Sequence, residues 1–212
     1  MDFIHPLANE YAAQYSNATP PYLKEVYEST LATHPHAYMQ SSWTQGGFLS
    51  LISKLLQPKY ILELGTFSGF SAMCLAEGLV NEGQLHTLEL REPDGINAQN
   101  NINQSPHKDK IKIHVGDAIE TLQHLTAPWD IVFIDADKVN YGKYYQMIFP
   151  YVKKNGLIIA DNVLFHGEVF SETLKGKNAK AIHAFNEMIV SDQLADTVLL
   201  TVRDGLSLIR KK

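Results

Sequence analysis

The stretch Tyr60-Ile-Leu-Glu-Leu-Gly-Thr-Phe-Ser-Gly-Phe-Ser71 decides the fold of this chain of 212 residues. Its first five residues form a short, β-rich apolar run, which predicts a buried parallel strand. Gly65 and Gly69 then bracket a tight turn, and Ser68 is placed to cap a helix over residues 70–79. A strand, a glycine turn and a helix start in this order predict a site where a ligand approaches the backbone closely.

Glu63 distinguishes this turn from a dinucleotide-binding one. It puts a carboxylate at the carboxyl end of the strand, where a pyrophosphate would be repelled and an amino group or cation attracted. The spacing Glu-x-Gly-x-x-x-Gly also differs from the fingerprint Gly-x-Gly-x-x-Gly. The turn therefore favours a zwitterionic, cationic ligand such as S-adenosylmethionine (SAM), and an ordinary βα turn without a ligand is the alternative.

The composition indicates a soluble globular protein. Hydrophobic residues make up 45% of the chain and charged residues 19%, and the formal net charge is −5. Because no basic stripe accompanies this charge, we expect no nucleic-acid partner. We see no signal-peptide pattern and no membrane span, and the single cysteine, Cys74, fits a reducing cytoplasm. The length predicts one domain over residues 1–212, with N-terminal helices over 1–57 and the core over 58–212.

Strand and helix patterns alternate from Tyr60 onwards. Strands are predicted over residues 60–64, 85–90, 111–115, 129–135 and 156–160, and helices over 70–79, 93–103, 117–125, 141–152 and 179–191. This alternation predicts an α/β fold with a parallel sheet and helices on both faces. The last two strands, over residues 197–202 and 206–210, are separated by Arg203-Asp204-Gly205 and predict an antiparallel hairpin. An apolar pattern at helical spacing predicts a helix over residues 45–56.

Acidic residues end each of the five predicted parallel strands. In chain order they are Glu63, Glu89, Asp117, Asp135 and Asp161, the last followed by Asn162. A single acid at a strand end is usually a helix cap, but ligands bind at the carboxyl ends of such strands, and five in succession favour a functional site. Glu89 lies about 24 residues after Gly65, near the distance at which an acidic residue contacts ribose hydroxyls.

Three of the polar strand ends are expected to form a metal site. The fourth and fifth strands are neighbours in a doubly wound sheet, so Asp135, Asp161 and Asn162 should converge. Two carboxylates and one amide oxygen suit Mg²⁺ (or Mn²⁺ or Ca²⁺), with turn caps as the alternative. Lys138 would be destabilised as an ammonium beside a divalent cation, which predicts a proton acceptor, whereas an ion pair with Asp135 or Asp137 is the alternative.

On these motifs the chain resembles the cation-dependent class I SAM O-methyltransferases, the family of the caffeoyl-CoA and catechol O-methyltransferases and their bacterial relatives. The stretches that carry the resemblance are Gly46-Gly-Phe-Leu49, Leu62-Glu-Leu-Gly-Thr-Phe-Ser-Gly-Phe-Ser71, Gly116-Asp-Ala118, Phe133-Ile-Asp-Ala-Asp-Lys138, Asp161-Asn162 and Asp204-Gly205. They follow one another in the family's order over about four fifths of the chain.

The resemblance implies a Rossmann-like, mostly parallel seven-stranded sheet, in which the C-terminal hairpin inserts one antiparallel strand. It implies that the cofactor SAM is bound by Ser41, Glu63, Gly65, Thr66, Ser71, Glu89, Asp117, Ala118 and Asp135. It makes Asp135, Asp161 and Asn162 the metal ligands, and Asp135 and Lys138 the catalytic residues. It also implies a homodimer.

Two positions depart from the family pattern. Phe165 stands where the family often has Trp, and Gln45-Gly46-Gly47 replaces the family's Glu-Gly-Gln. Both lie near the expected substrate mouth or the segment that covers SAM, so they affect the choice of acceptor more than the chemistry.

These inferences predict an enzyme that transfers the SAM methyl group to a hydroxyl of a phenolic, catechol-like small molecule. A divalent cation would hold both vicinal oxygens, and Lys138 would remove the proton. One alternative is a non-catalytic SAM-binding protein, which would need neither the metal ligands nor Lys138. The other is an NAD-dependent oxidoreductase, which the missing Gly-x-Gly-x-x-Gly and the position of Glu63 disfavour.

Overall fold

A seven-stranded sheet forms the centre of the computed structural model, which describes residues 4–212. The strands are β1 (Tyr60–Leu64), β2 (Gln84–Glu89), β3 (Ile111–Val115), β4 (Trp129–Ile134), β5 (Val152–Asp161), β6 (Ala195–Leu200) and β7 (Leu206–Lys211). The helices are α1 (Pro6–Gln14), α2 (Lys24–Thr33), α3 (Trp43–Leu56), α4 (Phe70–Ala76), α5 (Glu92–Ile102), α6 (Ala118–Leu122), α7 (Tyr141–Ile148) and α8 (Lys177–Ser191). None of the helices within residues 4–212 is both long and apolar enough to cross a membrane.

The strand order is β3-β2-β1-β4-β5-β7-β6, and the first five of these strands run parallel. Strand β7 lies antiparallel between β5 and β6. This confirms the predicted fold class, including the inserted antiparallel strand. The order of the strands reverses between β1 and β4, so a crevice opens at the carboxyl ends of these two strands, where ligands bind in sheets of this kind.

Alternate side chains of the strands pack into two different cores. Leu62 and Leu64 of β1 join the core that α7 and α8 cover, whereas Ile61 joins the core that α3 and α4 cover. Since successive side chains of a strand point to opposite faces, the apolar run of β1 is explained by burial on both sides. The N-terminal helices therefore belong to one face of the sheet, with Leu23 fully buried in the second core.

Two local expectations about the first turn and helix were wrong. Gly69, with φ +79°, is the N-cap of α4 without a side-chain cap, and the Ser68 hydroxyl instead donates to Gln40 Oε1 at 2.8 Å. Helix α4 also ends three residues early. A Cβ at Gly78 would lie 2.1 Å from backbone atoms of Ser53, so this segment passes against α3 too closely for a further helical turn with side chains.

Strand β5 begins at Val152, four residues before the predicted start. Its first residues, Lys153, Lys154 and Asn155, are polar and at least partly exposed, so they carry no apolar strand signal. Asn155 has φ +65°, and the pairing of β5 with β4 shifts register between Trp129 and Ile131. The irregular first part of β5 therefore leads into the regular part that ends at the crevice.

Candidate active site

A cavity of about 450 Å³ lies at the carboxyl ends of the parallel strands. The predicted site residues that line it are Ser41, Gly65, Thr66, Ser71, Glu89, Asp117, Ala118, Asp135, Lys138, Asp161 and Asn162. They come from segments more than a hundred positions apart, and the sheet brings them to one edge. Among the described residues, Glu63 is the predicted site residue that lies outside this lining.

The glycine turn after β1 passes very close to the end of β4. Gly65 has φ +100°, and a Cβ on it would lie 2.0 Å from the carbonyl oxygen of Asp135. The backbone amide of Asp135 also donates to the Leu64 carbonyl at 2.9 Å. Only glycine fits this approach, because both the left-handed φ and the missing side chain are required. The turn therefore fixes the position of Asp135 relative to the first strand.

The carboxylate of Glu89 is held at the cavity wall by two backbone amides. Oε2 accepts from Phe67 N at 2.8 Å, and Oε1 accepts from Arg91 N at 2.9 Å. Glu89 is nearly buried, and its backbone carbonyl accepts from Gly116 N. The side chain thus links the turns that follow β1 and β2, and the backbone carbonyl of the same residue links them to the turn after β3.

Two of the smaller polar residues of the wall also have structural roles. Asp117 caps α6, as predicted, because its Oδ1 accepts from the amides of Ile119 at 2.7 Å and Glu120 at 3.2 Å. The hydroxyl of Thr66 lies 2.6 Å from that of Thr87. These contacts shape the wall, and they leave one oxygen of Asp117 for other partners.

Glu63 lies fully buried behind the wall. Thr87 donates to its Oε2 at 2.5 Å, while Oε1 has no hydrogen-bond partner among the described residues. Burial raises the pKa of Glu63 to about 8, although the hydroxyls of Ser71 and Thr87 favour the charged form. The carboxyl group is therefore mostly protonated near pH 7 in this structure, and it lies outside the lining of the cavity.

Lys138 occupies the point where the ends of β4 and β5 meet. Its Nζ donates to Asp135 Oδ1 at 3.0 Å, to Asn162 Oδ1 at 2.9 Å and to the Tyr141 hydroxyl at 2.6 Å. Burial alone would lower the pKa of Lys138, but Tyr141 and Asp135 outweigh it and hold this pKa well above its usual value. In this structure Lys138 is therefore an ammonium, as in the ion-pair alternative.

Asp161 completes the acidic group at this point. It is 1% exposed, its Oδ2 accepts from Gln45 Nε2 at 2.7 Å, and its Oδ1 accepts from Asn162 N at 2.7 Å. Burial first, and then the charge of Asp135, raise the pKa of Asp161 above its ordinary value. The charge of Asp135 therefore acts on Asp161, and it is opposed by the charges of Arg203 and Lys138.

The expected metal ligands Asp135, Asp161 and Asn162 lie at the neighbouring ends of β4 and β5. Asp135 Oδ1 and Asn162 Oδ1 contact a single cationic nitrogen, Lys138 Nζ, whereas the oxygens of Asp161 accept from Gln45 Nε2 and Asn162 N. All three expected ligands offer hard oxygen donors, which Mg²⁺ prefers. Within residues 4–212, no group of three or more His, Cys, Asp or Glu side chains is placed to hold a metal ion, so a cation here would depend on two carboxylates and the Asn162 amide.

Several cavity residues were not predicted as site residues, among them Tyr38, Gln40, Tyr144, His166 and Arg203. Arg203 reaches the site because its guanidinium donates to Gln45 Oε1. No spacing signal pointed to this pair, since 158 positions separate the two residues. Phe165, which was noted only as a departure from the family pattern, does line the cavity.

Known proteins share this architecture. A model of a family described as O-methyltransferase matches residues 13–212. A catechol O-methyltransferase of Niastella koreensis is 35% identical over 173 residues, which cover 77% of this chain and 78% of that protein. A caffeoyl-CoA O-methyltransferase of Eucalyptus globulus is 30% identical over 203 residues, with 91% and 82% covered. The structure of an O-methyltransferase from Bacillus cereus in complex with SAH has a TM-score of 0.89 and 30% identity, with 97% of both chains covered.

Proposed function

The chain belongs to the O-methyltransferase family, and we propose that it methylates one hydroxyl of a catechol-like, vicinal dihydroxy aromatic small molecule with the help of a divalent cation. The methyl donor is SAM, whose demethylated product, SAH, is bound in the related structure from Bacillus cereus. The observation that supports the proposal is that Asp135, Asp161 and Asn162 line one cavity, where Asp135 Oδ1 and Asn162 Oδ1 both contact Lys138 Nζ.

SAM would lie along the turns that follow β1, β2 and β3. Glu89 would accept hydrogen bonds from its ribose, and Gly65 would allow its close approach to the backbone. Glu63 would lie behind the methionine part of SAM, and Ser41, Thr66, Ser71, Asp117 and Ala118 would line the cavity around the cofactor. These assignments remain predictions, supported by the common cavity and by the resemblance.

Asp135, Asp161 and Asn162 would hold the cation, which when bound would acidify one acceptor hydroxyl and orient both. Asp135 lies between this position and the glycine turn, so it would join the two parts of the site. The chain contributes positioning, because a rigid strand end and a closely packed turn hold nucleophile and methyl donor together.

In the transfer itself, the acceptor oxygen forms a bond to the methyl carbon while the bond from that carbon to sulfur breaks. The proton of the hydroxyl would pass to Lys138 Nζ. Because Tyr141 and Asp135 hold Lys138 as an ammonium in this structure, Nζ would first have to release one proton to solvent. If Asp135 and Asn162 bound a divalent cation, Lys138 Nζ would lose two of the contacts that favour its ammonium form. Lys138 would then form the ion pair in the site without the cation and act as the base in the site with it.

The experiment that tests this proposal combines binding with turnover. Calorimetry should detect binding of SAM and no binding of NAD. With labelled SAM, the protein should methylate members of a panel of ortho-dihydroxy aromatics. Binding of SAM without methylation of any phenol would instead favour a non-catalytic SAM-binding protein. A homodimer and a cytoplasmic location complete the proposal, and both follow from the resemblance and the composition.

A further inference from the structure

Gln45 connects two side chains that are distant in the sequence. It is 1% exposed and lies in the first turns of α3. Its Nε2 donates to Asp161 Oδ2 at 2.7 Å, and its Oε1 accepts from the guanidinium of Arg203. Arg203 belongs to the loop between β6 and β7 and donates also to the Gln40 carbonyl at 3.5 Å. One buried amide therefore bridges the end of β5 and this loop.

The two neighbours fix the orientation of the Gln45 amide. A guanidinium has only donors, so it contacts the amide oxygen and leaves the NH₂ group for the carboxylate of Asp161. The other carboxylate oxygen accepts from Asn162 N at 2.7 Å. Each oxygen of Asp161 thus has one fixed donor, which sets the rotation of the carboxylate and leaves further lone pairs for a cation.

The backbone of Arg203 supports the importance of its side chain. Arg203 has φ +50°, in the left-handed region, where residues other than glycine are strained. Glycine would remove that strain, but it would also remove the donor to Gln45. Strained residues persist where the surrounding structure holds them and often occur at functional sites. The contact with Gln45 gives a physical reason for arginine at this position.

We propose that Gln45 is a positioning residue, which holds the carboxylate of Asp161 in the orientation that binds the divalent cation, and that Arg203 in turn holds Gln45. This inference rests on the proposed metal centre. Side chains that orient metal ligands typically change metal affinity or activity by about 10–100-fold when they are replaced. The effect should appear in metal affinity, because neither residue is proposed to contact the methyl donor or the reacting hydroxyl.

The variant Gln45→Met tests the proposal, because methionine is similar in size but neither accepts from Arg203 nor donates to Asp161. The dissociation constant for Mn²⁺, measured by electron paramagnetic resonance, should rise by about 10–100-fold. The dissociation constant for SAM should stay nearly unchanged, and a high Mn²⁺ concentration should restore much of kcat. Ser53→Ala is the matched control, because Ser53 is also buried in α3. The change removes one hydrogen bond, from the Ser53 hydroxyl to the Leu75 carbonyl, away from the cavity.

Three outcomes would overturn the inference. If the Gln45→Met protein folds and binds Mn²⁺ with the affinity of wild type, Gln45 does not orient Asp161 for the cation. If Gln45→Met does not fold, Arg203→Asn is the second variant. Asparagine tolerates a left-handed backbone but is too short to reach Gln45. This second variant should weaken Mn²⁺ binding several-fold, and unchanged affinity contradicts the proposal. A wild-type protein that binds no Mn²⁺ overturns the metal centre as well, which separates the two failures.

Discussion

The two sides of the cavity are built from different kinds of backbone. The glycine side comprises residues 65–71 and 116–118, and the acidic side comprises residues 135–138, 161–167 and 203–205. On the glycine side, left-handed conformations fall mostly on Gly65, Gly69 and Gly116, with Phe67 as the exception among the described residues. On the acidic side they fall also on Asn162, Phe165, His166 and Arg203.

This difference indicates what each side provides. Glycine adopts a left-handed conformation at little cost, so the glycine side presents backbone to a ligand without strain. The acidic side keeps side chains at positions where each costs on the order of 1 kcal/mol or more. We infer that the side chains of the acidic side are retained for chemistry and acceptor recognition, whereas the glycine side serves to bind the cofactor.

The largest expected effect separates activity from cofactor binding. Asp161→Ala removes one carboxylate from the acidic side, and the loss of Lewis-acid stabilisation is worth several kcal/mol. At about 1.36 kcal/mol per decade, we expect kcat/KM to fall on the order of a thousandfold or more. SAM affinity, measured by calorimetry, should change little.

A suitable control for this variant is Asp130→Ala. Asp130 lies at the opposite end of β4 and accepts from the amides of Lys59 and Tyr60 and from Lys153. The Asp130→Ala variant should lower the stability of the protein and leave catalysis intact. If Asp161→Ala lost SAM binding as completely as it lost turnover, the proposed division between the two sides would be wrong.

The next prediction concerns the pH dependence of stability. Burial raises the pKa of Glu63 to about 8 from an ordinary value of 4.5. The unfolded chain therefore releases this proton first, and the free energy of unfolding falls as the pH rises from 4.5 to about 8, after which the loss is complete. The slope is at most about 1.4 kcal/mol per pH unit.

Glu63→Gln should remove this contribution, because an amide has the shape of the protonated acid and does not titrate. Urea unfolding of both proteins without SAM should show the variant gaining stability relative to wild type as the pH rises towards 8. Equal slopes for the two proteins over this range would show that Glu63 is charged behind the glycine side.

A smaller effect is expected for cofactor affinity. Glu89→Gln keeps the size of the side chain but removes the charge and replaces one of the two acceptors that face Phe67 N and Arg91 N with a donor. A hydrogen bond to a charged group is worth about 1.5–3 kcal/mol. At about 1.4 kcal/mol for each factor of ten, the SAM dissociation constant should rise about ten- to a hundredfold. Glu92→Gln, an exposed change on α5, is the control. Unchanged SAM affinity in a folded Glu89→Gln protein would remove Glu89 from the binding site.

The smallest effect concerns the acceptor. Phe165 lines the cavity with φ +43° and is smaller than Trp. Phe165→Trp should change relative kcat/KM values several-fold among catechols of different size, with SAM affinity as the internal reference. If every acceptor responded equally, Phe165 would have no part in selecting among them.

The sequence predicted the fold, and the structure brings all of the predicted site residues except Glu63 to the cavity lining, because both follow from local patterns. Apolar runs such as residues 60–64 marked the strands, and acidic residues directly after them lay at one edge once the strands were parallel. The start of β5 was missed because Lys153 and Lys154 are polar, and the strand begins here through the pairing of Val152 with Trp129 of β4, which no periodicity indicates.

The supporting contacts could not be predicted in the same way. The hydrogen bond from Gln45 to Asp161 spans 116 positions, and both residues depend on how α3 packs beside β5. The position of Glu63 behind the wall is likewise a consequence of packing, since its place at the strand end suggested a group that faces the ligand. Burial also set its protonation, which no spacing in the sequence encodes.

The central claim is that the acidic side holds a divalent cation that methyl transfer requires. The most direct measurement follows methyl transfer from labelled SAM to catechol after exhaustive treatment with EDTA, before and after addition of Mg²⁺ or Mn²⁺. We expect no transfer by the metal-free protein, full recovery with either cation, and SAM binding in both conditions. Full activity of the rigorously metal-free protein would contradict the claim and leave only the cofactor site of the glycine side.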